Sequence, residues 1–340
     1  MISTCQPIIL EELKHRIADG RYREKLPAAS VLADEFHVNI KTMNKVLNQL
    51  AAAGIVERRR RSGTMIRPDG GTPGNRTVEV VSSGFGKPFR HPFWCEVFEG
   101  VHETLLAAGY RMMLNHIVSD PDTHLFDIDK VQLSDAAGRI VIGPGEQWLL
   151  DWIAATRRPM VCAGDEVGAP DTPQVYFDFR KGIADAVNYL VTRRRCRDIG
   201  FVGHIASMHN PGLLQKFHAY LYALQRHRQI DPALIEGGWP HLGNGRPAVE
   251  RILERKCPDA LIVAFEFWIP EIRELLRERN LSILLIGCDG LPLPEVPEEY
   301  HTIRAPRYRC GQLAAELLLD SIRTCGRKKI GNHPLPAVFE

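Results

Sequence analysis

From residue 77 onward the chain alternates between two kinds of pattern. Short runs of near-continuous Val, Ile, Leu and Phe ("TVEVVSSG", "GRIVIG", "PMVCAG", "VYFDF", "DIGFVG", "ALIVAF", "SILLIG") are interleaved with segments whose apolar positions return every three or four residues, such as "FWCEVFEGVHETLLAAGY", "RKGIADAVNYLVTRR" and "EIRELLRERN". Strands this apolar are buried on both faces, and parallel strands need crossover helices. The alternation therefore predicts an α/β region built on a doubly wound parallel sheet.

The first 68 residues follow a different rhythm. Three helical stretches are predicted: "IILEELKHRIADGRY", with Leu10, Leu13 and Ile17 on its inner side; "SVLADEFH", with Val31, Leu32 and Phe36 apolar; and "NIKTMNKVLNQLAAA". Asn39 suits the N-cap of the third helix and Gly54 its stop. Met43, Val46, Leu47 and Leu50 form one apolar stripe, whereas Lys41, Asn44, Lys45 and Asn48 form a second stripe at the same spacing without a carboxylate. Such a face suits phosphates and base edges, because Lys donates to phosphate or guanine and Asn can pair with adenine through two bonds. The brief "HVN" between the second and third helices gives the pair helix-turn-helix form. Next comes "GIVERRRRSGTMIRP", two extended runs about Ser62 and Gly63, which read as a β-hairpin carrying Arg58 to Arg61.

Two units follow from this division: residues 1–68, then a Gly- and Pro-rich linker over 69–77, then residues 78–340. Charge sharpens it. The net charge of the chain is only +2, but residues 1–70 hold 12 Lys and Arg against 8 Asp and Glu, so a polyanion is expected to dock at the N-terminal unit. Eight scattered cysteines without a CxxC pair imply reduced thiols rather than zinc or disulfides. No long apolar run or signal-like start is present, so a cytoplasmic protein with no membrane partner is expected. Motifs for nucleotide phosphates, nucleophilic serine or zinc hydrolysis are absent, so no catalytic residue, metal or cofactor is assigned.

The stretch "LPAASVLADEFHVNIKTMNKVLNQLAAAGIVERRRRSGTMI" resembles the winged helix-turn-helix of GntR-family bacterial transcription regulators. That resemblance implies DNA contacts from Ser30, Asn39, Lys41, Thr42, Asn44 and Lys45 and from the wing residues Arg58, Arg59, Arg61, Ser62, Gly63 and Thr64. It also departs from the family. Ser30, Ile40 and Asn44 stand where family members often carry arginine, and Ala28 stands where a serine caps the second helix; Ser30 then caps a later start, or the end frays.

The segments "TVEVVSSGFGKPFRHPFWCEVFEGVHETLLAAGYRMML", "VYFDFRKGIADAVNYLVTRRRCRDIGFVG" and "PDALIVAFEFWIPEIRELLRERNLSILLIGCDG" resemble the LacI-type effector domain, related to periplasmic sugar-binding proteins. A winged helix joined to such a sensor is similar to the arabinose-repressor (AraR) arrangement. The resemblance implies two α/β lobes closing on a small molecule, with contacts from His91, Phe93, Trp94, Asp165, Asp178, Phe265, Glu266 and Asp289. Here too the chain departs: Leu213 replaces a ligand-holding arginine, Phe265 and Glu266 replace an Asn-Asp pair, and the aromatic cluster with Phe267 and Trp268 is expected to reshape the pocket. Together these resemblances imply a sequence-specific repressor, acting as a homodimer on a roughly palindromic double-stranded operator and modulated by a sugar or sugar derivative. The alternative is a sugar-binding protein without regulated DNA binding.

Overall fold

The computed structural model describes the 340-residue chain except for residues 1–4, 19–20, 23, 53–54, 60–61, 67–75, 85–91, 119–130, 144–146, 169–170, 207–210, 239–243, 294–299 and 325–329. Arg61, His91, Gly54 and most of the expected linker lie outside the described residues.

The N-terminal unit holds α1 (Cys5–Ala18), α2 (Ala29–Glu35) and α3 (Ile40–Ala52), followed by β1 (Val56–Arg59) and β2 (Gly63–Ile66). Leu13, Leu32, Met43, Val46, Leu47 and Leu50 are fully buried in one cluster, as the apolar stripes require. Val31 is instead half exposed. The predicted cap of α3 is made, with Thr42 N–H donating to Asn39 Oδ1 at 2.8 Å. Ala28 precedes α2 without any side-chain cap, and Ser30 lies inside that helix, so Ser30 does not cap it. His37 takes the left-handed φ of 53° that lets the chain turn between α2 and α3. Arg16 ties α1 to α2 by bonding Glu12 at 2.6 Å and Glu35 at 2.5 Å while lying over the Phe36 ring. The hairpin pairs antiparallel from Val56 with Ile66 to Arg59 with Gly63, and Lys25 bridges to Met65 beside it.

The rest of the chain forms two lobes. The first contains β3 (Thr77–Gly84), α4 (Pro92–Ala107), β4 (Arg111–Val118), β5 (Gly138–Ile142), α5 (Gln147–Ala154), β6 (Met160–Gly164) and β7 (Gln174–Asp178). The second contains α6 (Arg180–Thr192), β8 (Ile199–Gly203), α7 (Gln215–Leu224), β9 (Ile235–Gly237), α8 (Gly245–Arg255), β10 (Ala260–Val263), α9 (Ile269–Glu278), β11 (Leu284–Asp289) and β12 (His301–Arg304). The chain then returns to the first lobe with α10 (Arg307–Arg323) and β13 (Asn332–Pro336), and ends in the second with β14 (Val338–Phe339). Strand order is β13-β7-β6-β5-β3-β4 in one sheet and β14-β12-β11-β10-β8-β9 in the other. Pairings are parallel except for β12 with β14. The doubly wound parallel sheets are thus as expected, but β4, β9, β12, β13 and β14 extend beyond the strands legible in the sequence.

Three crossings join the lobes, after Asp178, after Arg304 and at Ala337. They lie close together: Ala337 N–H donates to Asp178 O at 2.9 Å. In the first lobe α10 packs on α4 through two glycines. A Cβ on Gly100 would lie 2.2 Å from Tyr308 O, and one on Gly311 would lie 2.0 Å from Val97 O, so neither position has room for a side chain. A buried ion pair, Arg139 with Glu79 at 2.8 Å, is held by bonds from Ser134 N–H and to Thr156 Oγ1. Among the described residues no helix is long and apolar enough to cross a membrane, and no group of three His, Cys, Asp or Glu could hold a metal.

Candidate nucleic-acid interface and effector cleft

The wing and α3 are joined by one side chain. Arg58 donates to Asn48 Oδ1 at 2.6 Å and to Asn44 Oδ1 at 2.7 Å, so an arginine of the hairpin lies against the polar stripe of the helix. Both acceptors are neutral amides, so the bonds orient the guanidinium without cancelling its charge. Arg59, next along β1, pairs instead with Glu57 at 3.0 Å and is 59% exposed, a geometry that a solvated pair holds weakly. Lys41 and Lys45 are exposed on the same helix, and among the described residues neither has an ion-pair partner. Lys25, which sequence reasoning missed, crosses the turn: a Cβ on Gly63 would lie 2.6 Å from its Cε. Gly63 has φ +91°, so its place in the turn depends on having no side chain.

Two predicted contacts lie elsewhere. Thr42 and Thr64 are buried, at 8% and 7% exposure. Thr42 faces the inner side of α3 beside Met43 and Val46, and Thr64 faces inward on β2 while its carbonyl accepts from Leu26 N–H at 2.9 Å. Their side chains brace the domain rather than present themselves to a partner. Ser30, Asn39, Ser62 and Gly63 are exposed, although the side chain of Asn39 is occupied as a cap.

The residues of the expected cleft converge at the carboxyl ends of the parallel strands, where open α/β sheets hold ligands. Asp165 follows β6, His204 follows β8, Ala264 and Phe265 follow β10, and Asp289 ends β11. At the centre lies a residue that sequence reasoning did not single out. Lys216, on α7, donates to Ala264 O at 2.8 Å, to Cys288 O at 3.0 Å and to Asp289 Oδ1 at 2.7 Å. Its ammonium lies 4.3 Å from the centroid of Phe179 and 5.9 Å from that of Phe93. Other bonds span the lobes. Gln215 accepts from Phe179 N–H at 2.8 Å and donates to Glu166 at 2.8 Å, while buried Arg307 bonds Glu96 at 2.5 Å and the carbonyls of Asp289 and Gly290.

The electrostatics follow from burial around this lysine. Burial pushes the Lys216 ammonium down, but Asp289, with Cys288 and Asp165, outweighs it and holds the group above its ordinary value. Burial pushes the Asp165 carboxyl up to about 6, with Lys216 opposing and Asp289 adding to the rise. Burial, reinforced by the charge of Lys216, pulls His204 down to about 4, which leaves a neutral imidazole at neutral pH.

The other predicted cleft residues have mixed placements. Phe93 is buried in the core with its ring edge-on to Trp94 and Phe177. Trp94 is half-buried and closes over Gly164, where a Cβ would lie 2.6 Å from its ring. Asp178 accepts from Arg180 N–H at 3.0 Å and from its guanidinium at 3.1 Å, so it fastens the turn into α6. Phe265 packs against Trp268, Phe267 and His204, so the aromatic residues of this segment form one cluster. Glu266 has no exposed surface. Its Oε2 accepts from Leu291 N–H at 2.9 Å, so it supports the loop after β11. Leu213 leaves no arginine at its position, and Lys216 supplies a cation three residues later.

Residues 8–66 match the family described as "Bacterial regulatory proteins, gntR family". Over 350 aligned residues the chain is 23% identical to the arabinose metabolism transcriptional repressor of Geobacillus stearothermophilus, covering 95% of this chain and 92% of that protein. Among solved structures it is similar to the transcriptional regulator CelR in complex with cellobiose (TM-score 0.67, 18% identity, 88% of this chain and 89% of that one). It is also similar to a LacI family transcriptional regulator from Enterococcus faecium with bound ribose (TM-score 0.63, 18% identity, 78% and 96%). These relatives are described as transcription regulators. The chain thus carries a gntR-type winged helix-turn-helix, the unit of bacterial regulatory proteins, over residues 8–66, ahead of a two-lobed domain whose fold is similar to that of LacI family regulators.

Proposed function

We propose that the protein is a cytoplasmic repressor that binds a roughly two-fold symmetric operator as a homodimer paired through its two-lobed domains, and that those domains sense a small molecule of the sugar class. The observation that carries the DNA-binding reading is the clamp of Arg58 by Asn44 and Asn48, which puts an uncancelled wing charge beside the Lys41 and Lys45 face of α3. Lys41, Lys45 and Arg58 meet phosphates, and Asn44 and Asn48 stand next to base edges. Arg61 adds charge by its position in the sequence. The sensor reading is supported by carboxylates and aromatic rings gathered at strand ends, and by the sugar ligands of the similar structures. Ligand binding changes the disposition of the lobes, and so the spacing of the two winged helices, by favouring one arrangement over another.

Selection of bound fragments from genomic DNA tests the first part. A roughly palindromic motif is expected, bound with an affinity that falls by a log-log slope near 0.9 per phosphate neutralised as salt rises. Salt-insensitive binding, or no selected motif, would overturn it. Size-exclusion with light scattering reads the dimer, and a melting-temperature screen against mono- and disaccharides reads the sensor.

A further inference from the structure

Lys216 has a primary ammonium with three protons, and three acceptors surround it: the carbonyls of Ala264 and Cys288 and the carboxylate of Asp289. Aromatic faces complete the enclosure, with Phe179 at 4.3 Å and Phe93 at 5.9 Å. The acceptors come from the ends of β10 and β11 in the second lobe, whereas Phe93 belongs to α4 of the first and Phe179 to a crossing between them. Such an assembly of carboxylate, carbonyls and rings is what a protein builds to hold a free alkylammonium ion, and here the ion is tethered to α7. The side chain is 17% exposed and that of Asp289 4%, so the pair is largely withdrawn from water.

We propose that the floor of the cleft is a primary-ammonium site and that Lys216 is its tethered occupant, lying between groups of both lobes where a diffusible effector would otherwise bind. This deepens the sensor reading and rests on the cleft being the effector site. Two consequences follow. The acceptors that a neutral sugar would need at β10 and β11 are already used. A molecule that enters the floor must displace Lys216, and one carrying its own protonated amine replaces what is lost, whereas a plain polyol leaves the carboxylate of Asp289 without a cation.

The test uses the full chain with Lys216→Ala, which empties the site, and Lys181→Ala, an exposed lysine on α6, as the comparison. Melting temperature is measured with propylammonium chloride, with 1-propanol as the neutral molecule of the same shape, and with sodium chloride at equal ionic strength. Lys216→Ala is expected to melt lower than the parent and to recover by about 2–4 °C, saturably, with propylammonium alone. The parent and Lys181→Ala are expected to show no such response. Equal recovery with 1-propanol would mean simple cavity filling, and recovery with neither would mean no ammonium site; each overturns the proposal. If Lys216→Ala does not fold, acetylation of the parent read by mass spectrometry decides. Lys216 is expected to react at least about tenfold more slowly than Lys181, following the protonated, enclosed state of its amine, and equal rates overturn the proposal. Neither readout involves DNA, so loss of operator binding would defeat the regulator reading while leaving this result standing.

Discussion

The wing and the cleft each fix a cation, the wing with side-chain amides and the cleft with a carboxylate and backbone carbonyls, and the choice of acceptor separates their roles. Arg58 is held by two neutral amides, Asn44 and Asn48, at an exposed surface. Orientation is gained while the positive charge stays available to a polyanion. Lys216 is held by a carboxylate and two carbonyls in a largely buried site. There the charge is largely cancelled locally, and what remains acts on the neighbours Asp165 and His204. The same bond geometry therefore serves to present a charge in one region and to retire one in the other.

The strongest way to break this comparison is Asp289→Ala. Removing the carboxylate leaves an enclosed ammonium with two carbonyls and the charge of Asp165 to hold it, and a loss of about 3 kcal/mol in urea-monitored stability is expected. A loss below about 1 kcal/mol would show that water solvates Lys216 and that its charge is not retired.

The neighbours of Lys216 give the next effect, through pH. Asp165 titrates at about 6 in the fold against an ordinary 3.8, so its contribution to stability is full at low pH and is lost as pH rises from about 4 to 6. His204 titrates at about 4 against 6.5, so its contribution is full above 6.5 and is lost as pH falls toward 4. The two oppose one another across one window. Asp165→Asn should leave stability rising with pH from about 4 to 6.5, and His204→Gln should leave it falling from about 4 to 6, each by about 1–3 kcal/mol. Denaturation midpoints measured across that range would show the slopes, and parallel curves for the three proteins would refute the assignment.

At the wing, Arg58→Ala is expected to lower affinity for duplex DNA about tenfold and to reduce the salt slope by about one unit. Fluorescence anisotropy at several salt concentrations reads both quantities, and an unchanged slope would mean that Arg58 touches no phosphate. The smallest effect belongs to Glu57→Gln, which frees Arg59 from its solvated pair. Affinity should rise by no more than about two- to threefold, because exposed pairs are weak. A large rise would show that the pair was restraining the wing.

What the sequence by itself determined was periodicity and its consequences. The Met43, Val46, Leu47 and Leu50 stripe, the Asn39 cap, the hairpin about Gly63 and the apolar strands each depend on neighbours a few residues away, and all took the expected form. Short edge strands such as β9 and β14 escaped notice because three or two residues carry no period to read. The direction a side chain faces was less legible. Thr42 and Thr64 carry the polar chemistry expected at an interface, yet helix phase and strand alternation turn them inward. Glu266 and Asp178 stand near strand ends as expected, but a backbone donor nearby takes one carboxylate oxygen of each.

Only the tertiary structure decided who meets whom over long separations. Asn44 and Arg58 are 14 positions apart, and Lys216 and Asp289 are 73 apart. No local pattern marks Lys216 as the centre of the cleft, since its partners come from the ends of two strands that become neighbours only when the sheet forms. Local spacing fixes which face a residue takes, because that depends on the backbone alone. Whether its charge is presented or cancelled depends on acceptors brought by other elements, and that is settled by packing.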